Sequence, residues 1–367
     1  MKEKLMGFAR LARPANLPTA AADILAGVAI TLFLEHIEVL SFLKGNSISV
    51  IVLVFSSIAL YAGGVVFNDV FDAELDAIER PERAIPSGLI PKREAVYFGI
   101  ILMALGIGLA FFCNMLAGVI SVLLTIAILT YDAYFKQFGF SGPLNMGICR
   151  GLNLLLGMSI VSEISNWYIA LVPVIYIFAI TLISRGEVHG NNKKHIVWAG
   201  VLYAIVIVTL TFIVIQQTDE VLVLTPFLLL FSFLIFSPLF KAYKENSPKN
   251  IKKAVISGVL SLVVMNACWV AGFSSWYLAL AVLLLLPISL ENPLFEKLIS
   301  DYKEFEAVKL LFVLDEGVKN HHPKLIQQIK SYCESNEDNL KYTDTIVLQG
   351  GEQVKNSDSA IESVLKA

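Results

Sequence analysis

Charge is scarce in this chain of 367 residues: 16% of positions are Asp, Glu, Lys or Arg, against about 25% in an average soluble domain. The AVILMFWYC class makes up 56% of the chain, and mean hydropathy is +0.70. Apolar surface on that scale needs lipid to cover it. The scarcity excludes a disordered chain, a nucleic-acid-binding protein and an ordinary soluble enzyme. Cysteine is scarce too. Cys113, Cys149, Cys268 and Cys333 are far apart, form no CxxC pair and no secreted framework, and read as small apolar fillers. A net charge of -3 favours no class of partner.

The chain is rich instead in long apolar runs. Ten stretches approach the length that crosses about 30 Å of hydrocarbon: 18–34, 48–67, 95–113, 115–134, 143–161, 167–184, 195–216, 221–240, 253–272 and 275–290. The first is preceded by Lys2, Lys4, Arg10 and Arg13 in the manner of a signal peptide, but with so many spans behind it the run reads as a retained helix. Seventeen Lys and Arg fall in the segments on the N-terminal side of these spans, whereas the opposite loops hold one, Lys44. The positive-inside rule then puts the N-terminus in the cytoplasm, with the inner (plasma) membrane as the expected host, and an even span count returns the C-terminal tail to the same side. The sequence therefore predicts an all-α polytopic membrane domain over 1–293 and a separate tail over 294–367, where nine of the lysines lie.

The unusual polar residues gather in the inner loops. Directly after the second run comes Asn68-Asp69-Val70-Phe71-Asp72-Ala73-Glu74-Leu75-Asp76. In a helix Asn68, Asp72 and Asp76, spaced i, i+4, i+8, project from one face. Three such side chains at a membrane rim repel one another unless a cation sits among them, and Mg²⁺, a hard ion that joins one or two carboxylates to substrate phosphates, suits them. A solvated juxtamembrane helix would show the same spacing. The next residues argue for more: Arg80-Pro81-Glu82-Arg83-Ala84-Ile85-Pro86-Ser87-Gly88 places guanidiniums beside the acids, as a diphosphate needs.

These residues resemble the UbiA superfamily of intramembrane prenyltransferases. The NDxxDxxxD motif of that family is matched by Asn68, Asp69, Asp72 and Asp76, and its RPxRxIPSG continuation by Arg80, Pro81, Arg83, Ile85, Pro86, Ser87 and Gly88. Further matches are Arg13-Pro14-Ala15-Asn16, the Tyr131 and Lys136 of a YxxxxK arrangement, and Arg150-Gly151-Leu152-Asn153. The resemblance implies a bundle of 9–10 transmembrane helices around a lipid-accessible cavity, transferring a prenyl group from a prenyl diphosphate to an aromatic or other small acceptor with Mg²⁺ as cofactor. It implies Asn68, Asp72 and Asp76 as metal ligands, Arg80 and Lys136 on diphosphate oxygens, and Tyr131 as a hydrogen-bond donor or facing an allylic cation. Arg150 and Asn153 sit inside an apolar run, where an ionisable group is a functional candidate by default; equally, Arg150 could form a structural pair with an acid such as Asp23.

The second acidic motif of the family departs here. The corresponding stretch is Ser184-Arg185-Gly186-Glu187-Val188-His189-Gly190-Asn191, with no aspartate. Glu187 and Asn191 remain as oxygen donors to a metal, with Arg185 or His189 facing phosphate, but two formal negatives are gone. This stretch looks like the EboC-type branch of the superfamily. Two functions therefore stay open: an Mg²⁺-dependent prenyltransferase, or a UbiA-like membrane protein that binds or moves a lipid-like or pigment-like metabolite without catalysis.

In the tail, Ala307 to Asp315 and Thr345 to Leu348 read as strands around an amphipathic helix from Pro323 to Cys333, the opening of an α/β domain. Gln349-Gly350-Gly351-Glu352-Gln353-Val354-Lys355 resembles a stretch near the N-terminus of 3-dehydroquinate synthase-like cyclases, which implies Asp315, Glu352 and Lys355 as a vestigial NAD site. The remaining machinery of that family has no counterpart here, so the tail is expected to be an incomplete α/β segment without cyclase activity or firm NAD binding.

Overall fold

The computed structural model describes residues 2–186, 192–218 and 220–286, and within the tail 308–315, 326–327 and 340–348. By contact the chain divides into two compact units, Met1–Pro287 and Ile288–Ala367.

The first unit is helical. Its helices are α1 (Lys2–Leu11), α2 (Leu17–Leu34), α3 (Val39–Phe71), α4 (Ala73–Glu79), α5 (Lys92–Cys113), α6 (Met115–Ala133), α7 (Ser141–Met158), α8 (Leu171–Ser184), α9 (Lys193–Gln217), α10 (Val221–Lys244), α11 (Pro248–Phe273) and α12 (Trp276–Leu283). Among the described residues nine helical segments are long and apolar enough to cross a membrane, the first running from Met6 to Leu34 through α1 and α2 and the last being α11. The chain is an integral membrane protein.

The tenth expected run ends differently. Of its described residues, 275–286, eight form the helix α12, about 12 Å long, well short of the hydrocarbon thickness. The described residues thus carry nine of the ten expected spans, and not the even count on which the tail's cytoplasmic placement rested.

Local chemistry sets the helix ends. Asn114 stands between α5 and α6, where its side chain accepts from Ala117 N–H at 2.8 Å and donates to the Ser159 carbonyl at 2.9 Å, so one residue caps a helix and ties it to the end of α7. Ser247 caps α11 ahead of Pro248, whose missing N–H would be unpaired in the first turn anyway. In this setting most backbone hydrogen bonds must close within each helix.

Burial is graded across the bundle. The first span and α11 are the most enclosed, and α5 and α10 the least. Helix α2 packs against α3, α7 and α11, with α5, α6, α8, α9 and α10 placed around them. Phe112, Leu222, Leu229 and Val208 point outward and are largely exposed, which for a soluble surface would be an aggregation hazard and in lipid is the expected coat. The α2–α7 crossing is close because two glycines meet there: a Cβ on Gly27 would lie 2.5 Å from the Leu154 carbonyl oxygen, and one on Gly157 would lie 2.5 Å from that of Ile24. Small residues allow such approach, and dispersion from tight packing replaces the hydrophobic drive that lipid removes.

In the second unit, β1 (Val308–Asp315) and β2 (Leu340–Leu348) pair in parallel, with a register irregularity between Leu310 and Leu311. The second strand begins at Leu340, five residues before the expected Thr345: Lys341 and Asp344 pair with Lys309 and Leu311, and Thr343 is the residue the register skips. Of the expected helix, residues 326–327 are helical; the rest lies outside the described residues.

Candidate functional site

The site starts where α3 ends. Asn68 and Asp69 occupy the last turn of α3, Asp72 lies between α3 and α4, and Asp76 is within α4. Backbone hydrogen bonds run through the junction, from Asp72 N–H to the Asn68 carbonyl at 2.9 Å and from Asp76 N–H to the Asp72 carbonyl at 2.8 Å. The i, i+4 spacing is therefore kept, yet the three side chains have different partners. Asn68 Nδ2 donates to Asp132 Oδ1 at 2.9 Å, Asp72 accepts from Lys136 Nζ, and Asp76 accepts from Arg83 Nη1 at 2.5 Å. Asp76 is buried in that ion pair.

Arginines complete the rim. Asp69 is held by Arg13 Nη2 at 2.5 Å and by Arg83 Nη1 at 3.3 Å, so Arg83 bridges Asp69 and Asp76. Arg80, the guanidinium expected on diphosphate, has an exposed side chain; its backbone N–H closes α4 on the Asp76 carbonyl at 2.8 Å. The Pro/Gly turn behind it, with Gly88 at φ +77, folds Arg83 back onto the acids.

A cavity of ≈ 380 Å³ lies inside the bundle next to this rim. Arg13, Asn68, Tyr131 and Asp132 line its polar end, while Leu124, Ile128, Ile177, Ile180, Val259 and Leu262 give apolar wall. Arg150 and Asn153 line it from mid-helix in α7. Of the two alternatives for Arg150, the structure contains the pair with Asp23: Arg150 Nε is 2.7 Å from Asp23 Oδ2, a close ion pair without an aligned hydrogen bond at that nitrogen. Arg150 Nη2 donates to the Thr19 carbonyl at 2.6 Å. Asp23 also accepts from Asn153 Nδ2 at 2.8 Å and Asn266 Nδ2 at 2.6 Å, and Ser57 Oγ donates to Asn153 Oδ1 at 2.7 Å. This network joins α2, α3, α7 and α11 and satisfies a buried carboxylate on both oxygens.

Arg185 is exposed and donates from Nη2 to the Phe138 carbonyl at 3.0 Å, tying the start of the α8–α9 connection to the segment after α6. Ser184 lines the cavity. Glu187, His189 and Asn191 lie outside the described residues, as do Glu352 and Lys355; Asp315 is the last residue of β1. Arg13, Arg83 and Asp132 hold the site together although the sequence gives none of them a role of its own. Arg13 and Arg83 stand within the family motifs, and Asp132 directly follows Tyr131.

The donor set fits a hard divalent cation. Asn68, Asp72 and Asp132 offer an amide oxygen and two carboxylates, and Asp132 lies within Coulombic range of both Asp72 and Lys136. Tyr131 and Cys149 lie beside them on the cavity wall.

Fold and site together define a polytopic helical membrane protein whose interior cavity ends in paired acids and cations. The chain belongs to the UbiA prenyltransferase family, whose model matches residues 25–252. It is 33% identical over 181 residues to the digeranylgeranylglyceryl phosphate synthase of Saccharolobus solfataricus, covering 49% of this chain and 60% of that one. To the Methanosarcina barkeri protein of the same name it is 40% identical over 110 residues, 30% of this chain and 38% of the other. The chain thus aligns with at most 60% of the length of these curated relatives. The fold is similar to that of a UbiA homolog from Archaeoglobus fulgidus solved bound to GPP and Mg²⁺, with a TM-score of 0.55, 17% identity and coverage of 76% of this chain and 99% of that one. The curated relatives carry the synthase name and not the EboC-type one, and the family match ends before the tail.

Proposed function

We propose that the chain is an Mg²⁺-dependent prenyltransferase that joins a prenyl group from a prenyl diphosphate to the hydroxyl of a prenylglyceryl phosphate lipid. The observation that carries this reading is the single cavity with an apolar wall and, at one end, Arg13, Asn68, Tyr131 and Asp132, with the Asp72–Lys136 pair beside it. The acceptor class follows the name of the curated relatives and takes precedence over the aromatic acceptor and the EboC-type placement that the sequence suggested.

In the transfer, the bond from prenyl C1 to the diphosphate oxygen breaks, a bond from C1 to the acceptor oxygen forms, and the hydroxyl proton leaves to solvent. The barrier is dominated by negative charge gathering on the departing diphosphate. Mg²⁺ held by Asn68 and Asp72 would supply Lewis acidity to that group. Lys136 and Arg13 each already hold a carboxylate, and each can exchange that partner for a diphosphate oxygen at little electrostatic cost. Tyr131 lies on the wall between rim and apolar pocket, where its hydroxyl can donate to the leaving oxygen or its ring can face the allylic carbon. Leu124, Ile128 and Leu262 exclude water from the prenyl chain. Asp69 and Asp76, both paired with Arg83, shape the rim, and Asp76 stays a candidate ligand that would exchange Arg83 for the ion. Arg80 and Arg185 sit at its outer edge, and Glu187 and Asn191 remain candidates for the opposite side.

We place the rim and the N-terminus in the cytoplasm from the excess of Lys and Arg on that side. The tail we take as a separate unit from about residue 294 with no cyclase activity, Asp315, Glu352 and Lys355 included.

The deciding experiment is reconstitution of the purified chain in vesicles with Mg²⁺, geranylgeranyl diphosphate and either geranylgeranylglyceryl phosphate or an aromatic acid. Diphosphate release with the glyceryl phosphate, abolished by Asp72→Ala, is expected. Tight binding of the prenyl diphosphate with no turnover on either acceptor, in wild type and variant alike, would move the protein to the noncatalytic class.

A further inference from the structure

Asp132 is a carboxylate that the acidic motifs do not include. It stands in the last turn of α6, is 4% exposed, and lines the cavity beside Tyr131. Burying an ionised carboxylate is costly unless a cation offsets it. The other buried carboxylates among the described residues follow that rule: Asp23 is paired with Arg150, Asp69 with Arg13 and Arg83, and Asp76 with Arg83. Half-buried Asp72 has Lys136. Asp132 has the amide of Asn68 on one oxygen and no ion pair among the described residues. A neutral donor satisfies a lone pair without cancelling a charge. The polar end of the cavity therefore holds one negative charge more than its direct partners neutralise.

A second observation gives that charge a purpose. The connection after α8, whose Ser184 lines the same cavity, contains no aspartate and one carboxylate, Glu187. Mg²⁺ that joins substrate phosphates is held by one or two protein carboxylates. Asp132 supplies one from α6. Asn68, in donating its Nδ2 to Asp132, leaves its own Oδ1 as an acceptor, so the two side chains are joined with three oxygens between them.

We propose that Asp132 is a divalent-cation ligand, acting with Asn68 and Asp72 and making up for the aspartates that the α8–α9 connection lacks. This rests on the Mg²⁺-dependent reading of the site and names a residue that reading does not require.

The test uses the full chain in nanodiscs, with Mn²⁺ as a spectroscopic stand-in for Mg²⁺ and an unreactive prenyl thiolodiphosphate. Asp132→Asn keeps the acceptor for Asn68 and removes the charge. We expect it to weaken Mn²⁺ binding, read by electron paramagnetic resonance, by at least about tenfold, with metal-free binding of the thiolodiphosphate no weaker than in wild type. Asp132→Glu keeps the charge and should retain most of the affinity with an altered Mn²⁺ spectrum. Equal Mn²⁺ affinity in wild type and Asp132→Asn overturns the assignment while leaving metal-dependent transfer intact. Absence of Mn²⁺ binding in wild type, with the thiolodiphosphate still bound, overturns both. If Asp132→Asn does not fold, Asp132→Glu decides: an altered spectrum supports ligation and an unchanged one overturns it.

Discussion

Arg13 Nη2 lies 2.5 Å from Asp69 Oδ1, and the residue making this contact has a left-handed backbone, φ 44 and ψ 65. Pro14 comes next and disfavours the right-handed helical region for Arg13, while the left-handed region costs a non-glycine residue about 1–2 kcal/mol. The ion pair and the strained turn are therefore one device that swings a guanidinium from the α1–α2 connection to the end of α3. Arg13→Gly removes the side chain and suits the turn; Arg13→Ala removes the side chain and keeps the strain. We expect Arg13→Ala to be less stable than Arg13→Gly by about 1 kcal/mol in thermal unfolding, and both to lose prenyl diphosphate affinity alike. Wild-type affinity in Arg13→Gly would confine Arg13 to the turn.

The Asp23–Arg150 pair makes a different claim, on stability. Both side chains are at most 8% exposed, and breaking one half of a buried pair costs about 3–5 kcal/mol because the remaining charge is stranded. Arg150→Met leaves Asp23 charged among Asn153 and Asn266. Adding Asp23→Asn removes the charge and keeps acceptor capacity for one amide. Denaturant unfolding in micelles should show Arg150→Met strongly destabilised and the double variant more stable than it. If Arg150→Met unfolds like wild type, the pair contributes nothing to folding and Arg150 serves the cavity alone.

Helix existence is legible in the sequence because a lipid-facing span must be apolar along most of its length, and Lys92–Cys113 or Lys193–Gln217 leave no alternative. The acid motif is legible for the same reason in reverse, since charge at a membrane rim is rare. Which carboxylate meets which cation is not. Arg83 and Arg80 are three residues apart in one motif, and only the turn ending at Gly88 decides that Arg83 folds back while Arg80 faces outward. Asp132 looks like part of a helix end, because its partner Asn68 lies 64 residues away and no linear spacing links them. The tenth apolar run reads as a span because hydropathy reports burial in lipid or protein alike, whereas its described helix, α12, is eight residues long.

The α2–α7 crossing carries a steric prediction. Gly27 and Gly157 each present a Cα to the facing backbone, with no room for a methyl group, and Thr31 Oγ1 donates across the same interface to the Met158 carbonyl at 3.0 Å. Gly157→Ala would force the helices apart or strain them, at about 1–3 kcal/mol. Because Asn153 lies one turn away on α7 and bonds to Ala20 and Asp23 of α2, the separation should reach the cavity. The expected result is a lower unfolding midpoint for Gly157→Ala and a larger loss for Gly27→Val. Unchanged midpoints in both would show that the crossing relaxes freely.

Lys136 and Asp72 are each about a quarter exposed as side chains, 28% and 24%, and pairs that reach solvent contribute only about 0–1 kcal/mol to stability. The pair is therefore a poor explanation of folding and a good one of function. Lys136→Met should leave the unfolding midpoint nearly unchanged yet lower diphosphate release by about 10²–10³, the loss found when one preorganised donor to a developing anion is removed. Lys136→Arg keeps the charge but exchanges a point cation for a planar fork, so partial activity is expected. If Lys136 acts only by neutralising Asp72, then Asp72→Asn in the same chain makes it dispensable, and the double variant should match Asp72→Asn alone. A double variant slower than either single one would show that Lys136 touches the diphosphate in its own right, which is the role proposed for it.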